Sequence, residues 1–528
     1  MKNESTRTLR APRRLAPAAL AAAVALAGVA ACSRSIPTLE ELTPQTANND
    51  DAGAGSWKMI LLSGPTQFTV APPSAVSSDA YQAELAAIKT AQANLTQAQK
   101  DAIDYWSGGA VLRWNQILRE LVARYNLPPA PRDDGSYPAP DANNPFADPA
   151  FPFANPPYSA RAYSYVTAAQ FEALKVAWYY KYQYNRPSPS RVDSGIQPLM
   201  PTTDLPSYPS EDAVLSGVST EMMRLLFPAA IEEITRRAGE ERDAALQSGK
   251  ASSSDIAAGL ALGRAVAAVF VARAGTDGMA QAAGNAAQAQ AYASAATARG
   301  EVAWKSLETP PRPPMLMNFG KVLPWMMTPT DIVRERPGPP PSTSSSQMAQ
   351  EVNEVRDTVD HLSREQLAIA LKWNDGAGTY TPPGHWNDIA TEYVRDARMS
   401  EVRAARVFAL LNMAMHDAGV GCWDSKFAYY NPRPSQMDPR IRTSIGLPNF
   451  PSYSSGHSTF SAAAAEVLSY LFPAAATEFH ALKDEAAISR LYGGIHYRSD
   501  IDVGKVHGSR VGGYTVSFAR TDGADLAR

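Results

Sequence analysis

The chain has 528 residues, 45% hydrophobic and 19% charged, and its 49 basic against 52 acidic residues leave a formal net charge of -3. That length can bury at least one large core, with room for about two to four domains. The charge balance excludes both a disordered chain and a nucleic-acid binder held by a basic surface. All seven histidines (His361, His385, His416, His457, His480, His496, His507) lie beyond residue 360, so any imidazole chemistry belongs to the C-terminal third. The two cysteines, Cys32 and Cys422, exclude a disulfide framework and a cysteine-rich metal site.

Arg7, Arg10, Arg13 and Arg14 precede an apolar run from Leu15 to Ala31, the order of a secretory signal peptide, which assigns residues 1–31. The run ends in Val29-Ala30-Ala31-Cys32, which resembles a bacterial lipobox, where the cysteine is lipidated; an ordinary cleavage site beside an accidental cysteine is the alternative. The expectation is an exported protein facing the periplasm or cell exterior, touching a membrane only through an N-terminal lipid anchor on Cys32. Residues 33 to about 55 read as a flexible tether, within a lead-in covering 32–104. No later stretch offers the roughly 18 uninterrupted apolar residues that span a bilayer.

A gapless shift of 245 residues aligns Trp178 with Trp423, Lys181 with Lys426, Tyr184 with Tyr429 and Pro189 with Pro434. The same register superimposes Pro206-Ser207-Tyr208 on Pro451-Ser452-Tyr453, and Leu226-Phe227-Pro228 on Leu471-Phe472-Pro473. The chain therefore reads as two copies of one helical unit, with weaker similarity where Trp114-Asn115 faces Trp386-Asn387. Helical spacing predicts helices over 400–430, 457–471 and 500–519, and strand-like alternation is scarce. The expected fold is all-α: a degenerate N-terminal bundle over 105–335, a Pro/Ser-rich linker over 336–371 and a C-terminal catalytic bundle over 372–528.

The copies differ in chemistry. Arg433 faces Ser188, Gly456 faces Glu211, His457 faces Asp212, Arg490 faces Ala245 and His496 faces Ala251. Lys426, Arg433 and Arg490 supply three cations whose natural shared target is a tetrahedral oxyanion such as phosphate or vanadate. Ser455-Gly456-His457 opens an alanine-rich helix, where free N–H groups favour an anion and His457 can exchange protons with a bound group. Asp500, four residues after His496, can accept from its imidazole and leave the other nitrogen free as nucleophile or ligand.

Lys426, six residues, Arg433-Pro434; Ser455-Gly456-His457; and Ser489-Arg490, five residues, His496, three residues, Asp500 resemble the three-part signature of a superfamily. It joins type 2 phosphatidic acid phosphatases, bacterial acid phosphatases and vanadium-dependent haloperoxidases. The local departure is Ser454, where the phosphatase signature usually has proline. The resemblance implies a helical-bundle enzyme, with two bundles and one active site in haloperoxidases. In the haloperoxidase-like branch the cofactor is vanadate, held by Lys426, Arg433, Arg490 and the Ser455-Gly456 turn. There His496 is the axial ligand, His457 assists hydrogen peroxide, and halide is oxidised. In the phosphatase branch no cofactor is needed: His496 attacks phosphorus, giving a phospho-His496 intermediate, and His457 protonates the leaving alcohol.

The duplicated length and the run Phe450 to Phe460 look closer to the vanadium chloroperoxidase pattern, in which a matching Trp and Phe line the halide side. Trp423 recurs as Trp178, so packing and a halide contact both fit it, whereas Phe450 faces Leu205 and is particular to the second copy. His416 and Asp417 are candidates to support the site from the same helix. A non-catalytic binding protein is disfavoured because the second copy keeps every reactive residue.

Overall fold

The computed structural model describes residues 42–127, 131–137 and 156–524; the expected signal peptide and Cys32 lie outside them. Among the described residues every regular element is a helix. The lead-in carries α1 (Asp79–Ala93), α2 (Gln97–Trp106) and α3 (Ala110–Tyr125). The first copy follows with α4 (Pro156–Tyr184), α5 (Pro189–Val192), α6 (Glu211–Leu226), α7 (Ile231–Gln247) and α8 (Ser253–Ala274). The connection contains α9 (Ala286–Ala298), α10 (Pro329–Glu335), α11 (Ser346–Asp360) and α12 (Arg364–Lys372). The second copy has α13 (Thr381–Asp396), α14 (Glu401–Tyr429), α15 (Pro434–Met437), α16 (Gly456–Leu471), α17 (Ala476–Tyr492) and α18 (Arg498–Ala519).

The bounds of α14 to α18 equal those of α4 to α8 plus 245 residues, helix by helix. The local causes recur with them. Ser210 and Ser455 cap α6 and α16, each accepting from the backbone three residues on. Proline opens α5 and α15, where its missing N–H costs nothing. Helix contacts repeat as well. A Cβ at Gly263 of α8 would meet Val214 O at 2.3 Å, and one at Gly508 of α18 would meet Thr459 O at 2.2 Å. Only glycine lets these helices come so close to α6 and α16.

Buried ion pairs recur too: Arg161 Nε donates to Asp277 at 2.7 Å and Arg406 Nε to Asp522 at 2.7 Å. The two copies meet along α4 and α14, and one continuous apolar core runs through both. Equivalent residues face each other across this seam, Asn412 Nδ2 donating to Thr167 Oγ1 at 3.4 Å. Asn115 donates to Asn387 at 2.7 Å nearby.

Two sequence expectations differ from the structure. From residue 42 on, the expected tether is docked: Leu42 is buried, and the Asp51 carboxylate takes Ser400 Oγ at 2.5 Å and the Arg403 guanidinium. The expected linker 336–371 contains α11 and α12. Met348, Val352, Val355 and Val359 form one apolar stripe on α11, packed against Leu491 and Ile501 of the second copy. Among the described residues, one helical stretch, Ser253–Gln281, is long and apolar enough to cross a bilayer by length and composition. Its glycine face is packed against α6.

Candidate active site

Four segments of the second copy converge: the end of α14, the loop 431–455 leading to α16, the end of α17, and the turn 493–497 into α18. The turn needs Gly494, whose φ is +73°. It delivers His496 at the threshold of α18, one helical turn before Asp500. His496 Nδ1 lies 2.8 Å from Asp500 Oδ2, which also accepts from Ser452 Oγ at 2.5 Å and from the Tyr497 amide at 3.2 Å. With Nδ1 held, Nε2 faces Arg433 Nη1 at 3.1 Å.

Arg433 is anchored by Nε to Phe450 O at 3.0 Å and by Nη1 to Ile495 O at 2.8 Å, while its buried Nη2 has no partner among the described residues. Arg490, at the end of α17, donates from Nε to Ser489 Oγ at 2.9 Å and from Nη2 to Trp373 O. Burial pulls both guanidinium groups down to about 10, which leaves them charged at neutral pH. His496 is pushed well below the ordinary histidine range by burial and then by Arg433, Lys426 and Arg490. Burial lifts Asp500 to about 6 against the Ser452 hydrogen bond and the nearby cations. The cluster is thus positive, desolvated and provided with a neutral, oriented imidazole.

Lys426 is close by but turned into the loop. Its Nζ donates to Pro451 O at 3.0 Å, Ser452 O at 2.8 Å and Ser454 O at 2.5 Å, using all three of its protons. It fixes the loop that carries Ser452 and Phe450, and burial pulls it down to about 8. Ser455 caps α16. The Tyr453–Ser454 peptide is cis, as is Tyr208–Pro209 at the same place in the first copy.

A cavity of about 470 Å³ is lined by Trp423, Phe450, Gly456, His457, Arg490 and His496. A Cβ at Gly456 would meet only Phe460 Cε2, at 3.9 Å, so this glycine keeps one wall of the cavity flat. The Trp423 and Phe450 rings are 4.9 Å apart, and the Lys426 ammonium and Arg433 guanidinium lie 5.1 and 4.9 Å from the Phe450 ring. The aromatic wall therefore adjoins the cations.

His457 reaches a group that sequence reasoning missed. Its Nε2 is 3.5 Å from Asp375 Oδ2, and His385 Nδ1 is 3.1 Å from Asp375 Oδ1. Burial and the Arg490 charge pull His457 down to about 4. Burial raises Asp375, but His385 and His457 outweigh it and hold the carboxyl well below its usual range. At the start of each copy the alignment shift is 272 rather than 245, and there His385 faces Arg113 and Asp375 faces Ile103. The asymmetry that singled out His457 was present for this pair as well.

His416 and Asp417 do not join the cavity lining. Asp417 accepts the amides of Trp325 and Met326, both at 2.7 Å, and its counterpart Glu172 accepts those of Ile60, Leu61 and Leu62. Both carboxylates tie a loop to the long helix.

The first copy has the same frame and another chemistry. Glu211, at the place of Gly456, pairs with Lys181 at 2.7 Å and with Lys250 at 2.9 Å. Asp255, at the place of Asp500, is bound by Arg186 and by Ser207 Oγ at 3.2 Å. Here the cations are neutralised by the chain itself.

Residues 406–523 match the model of the PAP2 superfamily. The fold is similar to that of a bacterial vanadium-dependent iodoperoxidase, with a TM-score of 0.51 at 22% identity over 69% of this chain and 91% of that one. A bacterial vanadium-dependent chloroperoxidase is also similar at 12% identity. Its apo form gives a TM-score of 0.49 over 68% of this chain and 92% of that one; its holo form gives 0.48 over 72% and 96%. No curated protein sequence matches.

Proposed function

We propose, from the match of residues 406–523 to the PAP2 superfamily model, that the second copy is a vanadium-dependent haloperoxidase-like site that oxidises halide with hydrogen peroxide. The carrying observation is the pairing of His496 and Arg433. One imidazole nitrogen is fixed by Asp500, and the other faces a guanidinium whose outer nitrogen has no partner. That donor set suits a tetrahedral oxyanion. Arg433, Arg490 and the N-terminus of α16 at Gly456 would hold vanadate, with His496 Nε2 as its ligand. Vanadate, when bound, supplies activation of peroxide for oxygen transfer to the halide.

The chain's own groups do the rest. Asp500 keeps the His496 tautomer that presents Nε2 to the cavity. Lys426 holds the loop 451–454 and adds positive potential. His457, neutral at working pH, accepts and returns a proton at the cavity wall. Trp423 and Phe450 give an apolar face beside the cations, which suits a weakly hydrated halide. The likeness of the fold to a vanadium-dependent iodoperoxidase supports this choice within the superfamily.

The second reading is a phosphomonoesterase using a phospho-His496 intermediate, favoured by the same oriented imidazole and cation pair. Two assays on the purified protein separate the readings. Halogenation of a diketone dye that requires both vanadate and peroxide supports the first. Nitrophenyl phosphate hydrolysis inhibited by vanadate, without halogenation, replaces it with the second. Export and lipidation at Cys32 form part of the same proposal.

A further inference from the structure

Helix α17 clasps the end of α12 through one residue. Trp373 caps α12 and is fully buried. Its carbonyl belongs to the last turn of the helix, where carbonyls find no partner within the helix and the dipole favours a cation. Arg490 Nη2 donates to that carbonyl, and Arg490 Nε donates to Ser489 Oγ at 2.9 Å. The third guanidinium nitrogen, Nη1, has no hydrogen-bond partner among the described residues, and Arg490 lines the cavity. The side chain of Trp373 is held by the same helix. Its indole N–H donates to Glu485 Oε1 at 2.8 Å, an oxygen that the Lys372 ammonium also reaches at 2.6 Å. The ring stacks on His385, with centroids 4.2 Å apart and planes 23° apart.

We infer that Glu485 and Trp373 are positioning residues for the oxyanion site: Glu485 locks the Trp373 indole, and the Trp373 carbonyl sets where Arg490 points. The inference deepens the proposed function and rests on Arg490 holding the oxyanion. A guanidinium fixed through two nitrogens presents the third in one direction. Its rotamer freedom is then lost on folding rather than on binding, which favours affinity. The nearby charges of Asp375 and Arg433 act on Arg490 without a hydrogen bond, so its direction comes from Ser489 and Trp373.

The first copy holds a tie of the same kind without the arginine. Trp106, which ends α2, donates from its indole to Glu240 Oε1 of α7 at 3.3 Å. The 245-residue register places Glu240 opposite Glu485, and Ala245 opposite Arg490. There the tie serves packing alone. In the second copy the same tie has a guanidinium on its far side, so the two copies separate packing from positioning.

The test compares Glu485→Ala with Glu240→Ala in the full chain. Nitrogen-15 NMR of the arginine side chains, recorded without any oxyanion, follows Arg490, whose signals are assigned by their absence from Arg490→Lys. In the unaltered protein Arg490 gives resolved, slowly rotating Nη signals. They merge in Glu485→Ala and stay resolved in Glu240→Ala. Calorimetry reads affinity for orthovanadate and, separately, for phosphate. It falls about 10-fold in Glu485→Ala and stays within about twofold in Glu240→Ala, although both variants lower Tm. Glu485→Gln keeps an acceptor for the indole and restores both readouts. Trp373→Phe keeps the stack and the carbonyl, loses the N–H and reproduces the loss, and combining it with Glu485→Ala adds nothing further. Resolved Arg490 signals in Glu485→Ala, or undiminished oxyanion affinity there, overturn the inference, since the tie is then packing alone as in the first copy. Merged signals in Glu485→Ala, with an unaltered protein that binds no oxyanion, retire the functional reading and leave the clasp on Arg490 standing.

Discussion

Glu211 Oε2 lies 2.7 Å from Lys181 Nζ, so the first copy carries on its own chain a carboxylate at the position where the second copy has Gly456. Burial raises Glu211, but Lys181 and Lys250 outweigh it and bring the group to about 2. This pair is a structural device, and Lys181→Met leaves Glu211 with Lys250 as its remaining cation. The substitution is expected to lower Tm, while activity per folded molecule stays within about twofold. Lys426→Met releases three carbonyls in the active loop and removes most activity. Thermal melts combined with active-site-normalised rates check both. Equal loss of normalised activity in the two variants contradicts the assignment of one reactive copy.

Asp500 acts through His496. Asp500→Asn keeps the shape and loses the charge that fixes the tautomer, so oxyanion affinity falls by about 10- to 100-fold. Calorimetric titration with orthovanadate measures it. Because Ser452 Oγ also reaches Asp500 Oδ2 at 2.5 Å, Ser452→Ala gives a smaller loss of the same sign.

Phe450 is the aromatic particular to the second copy. Replacing it by the residue of the first copy, Phe450→Leu, keeps an apolar wall and removes the ring beside Lys426 and Arg433. The expected outcome is a raised KM for halide with vanadate affinity within about twofold. An unchanged halide KM assigns Phe450 to packing.

His507 gives a pH prediction away from the cavity. Burial lowers it from 6.5 to about 4, and neither ring nitrogen has a partner among the described residues. A group lowered on folding binds fewer protons in the native state, so its contribution stands above about pH 6.5 and is lost as pH falls toward 4. His507→Met removes that term and an unsatisfied polar group together. The acid limb of Tm against pH becomes shallower, and Tm at neutral pH is equal or higher.

Cys32 is tested in cells. Labelled palmitate is incorporated by the wild-type chain, and Cys32→Ser abolishes both the label and recovery with membranes. Label retained in the variant contradicts the anchor.

Much of this was legible in sequence because duplication makes the chain its own control. The 245-residue register marked α4 to α8 against α14 to α18, and the residues it failed to match included Arg433, Gly456, His457, Arg490 and His496. Asp375 and His385 escaped because the register changes to 272 before α14, where few residues carry the alignment. Helix α11 escaped because the Pro/Ser run before it reads as a linker, while its stripe of Met348, Val352, Val355 and Val359 gains meaning only against Leu491 and Ile501. The inward turn of Lys426 was not readable at all, since it depends on where three carbonyls of a folded loop point. Asp417 could be understood only once Glu172 was seen to do the same work.

The central claim is one oxyanion held by the second copy through His496. Titration of the purified full chain with orthovanadate, followed by vanadium-51 NMR and calorimetry, tests it most directly. The account predicts one saturable site per chain, competed by phosphate, lost in His496→Ala and kept in Lys181→Met. Binding that survives His496→Ala, or no saturable binding in the unaltered protein, contradicts it.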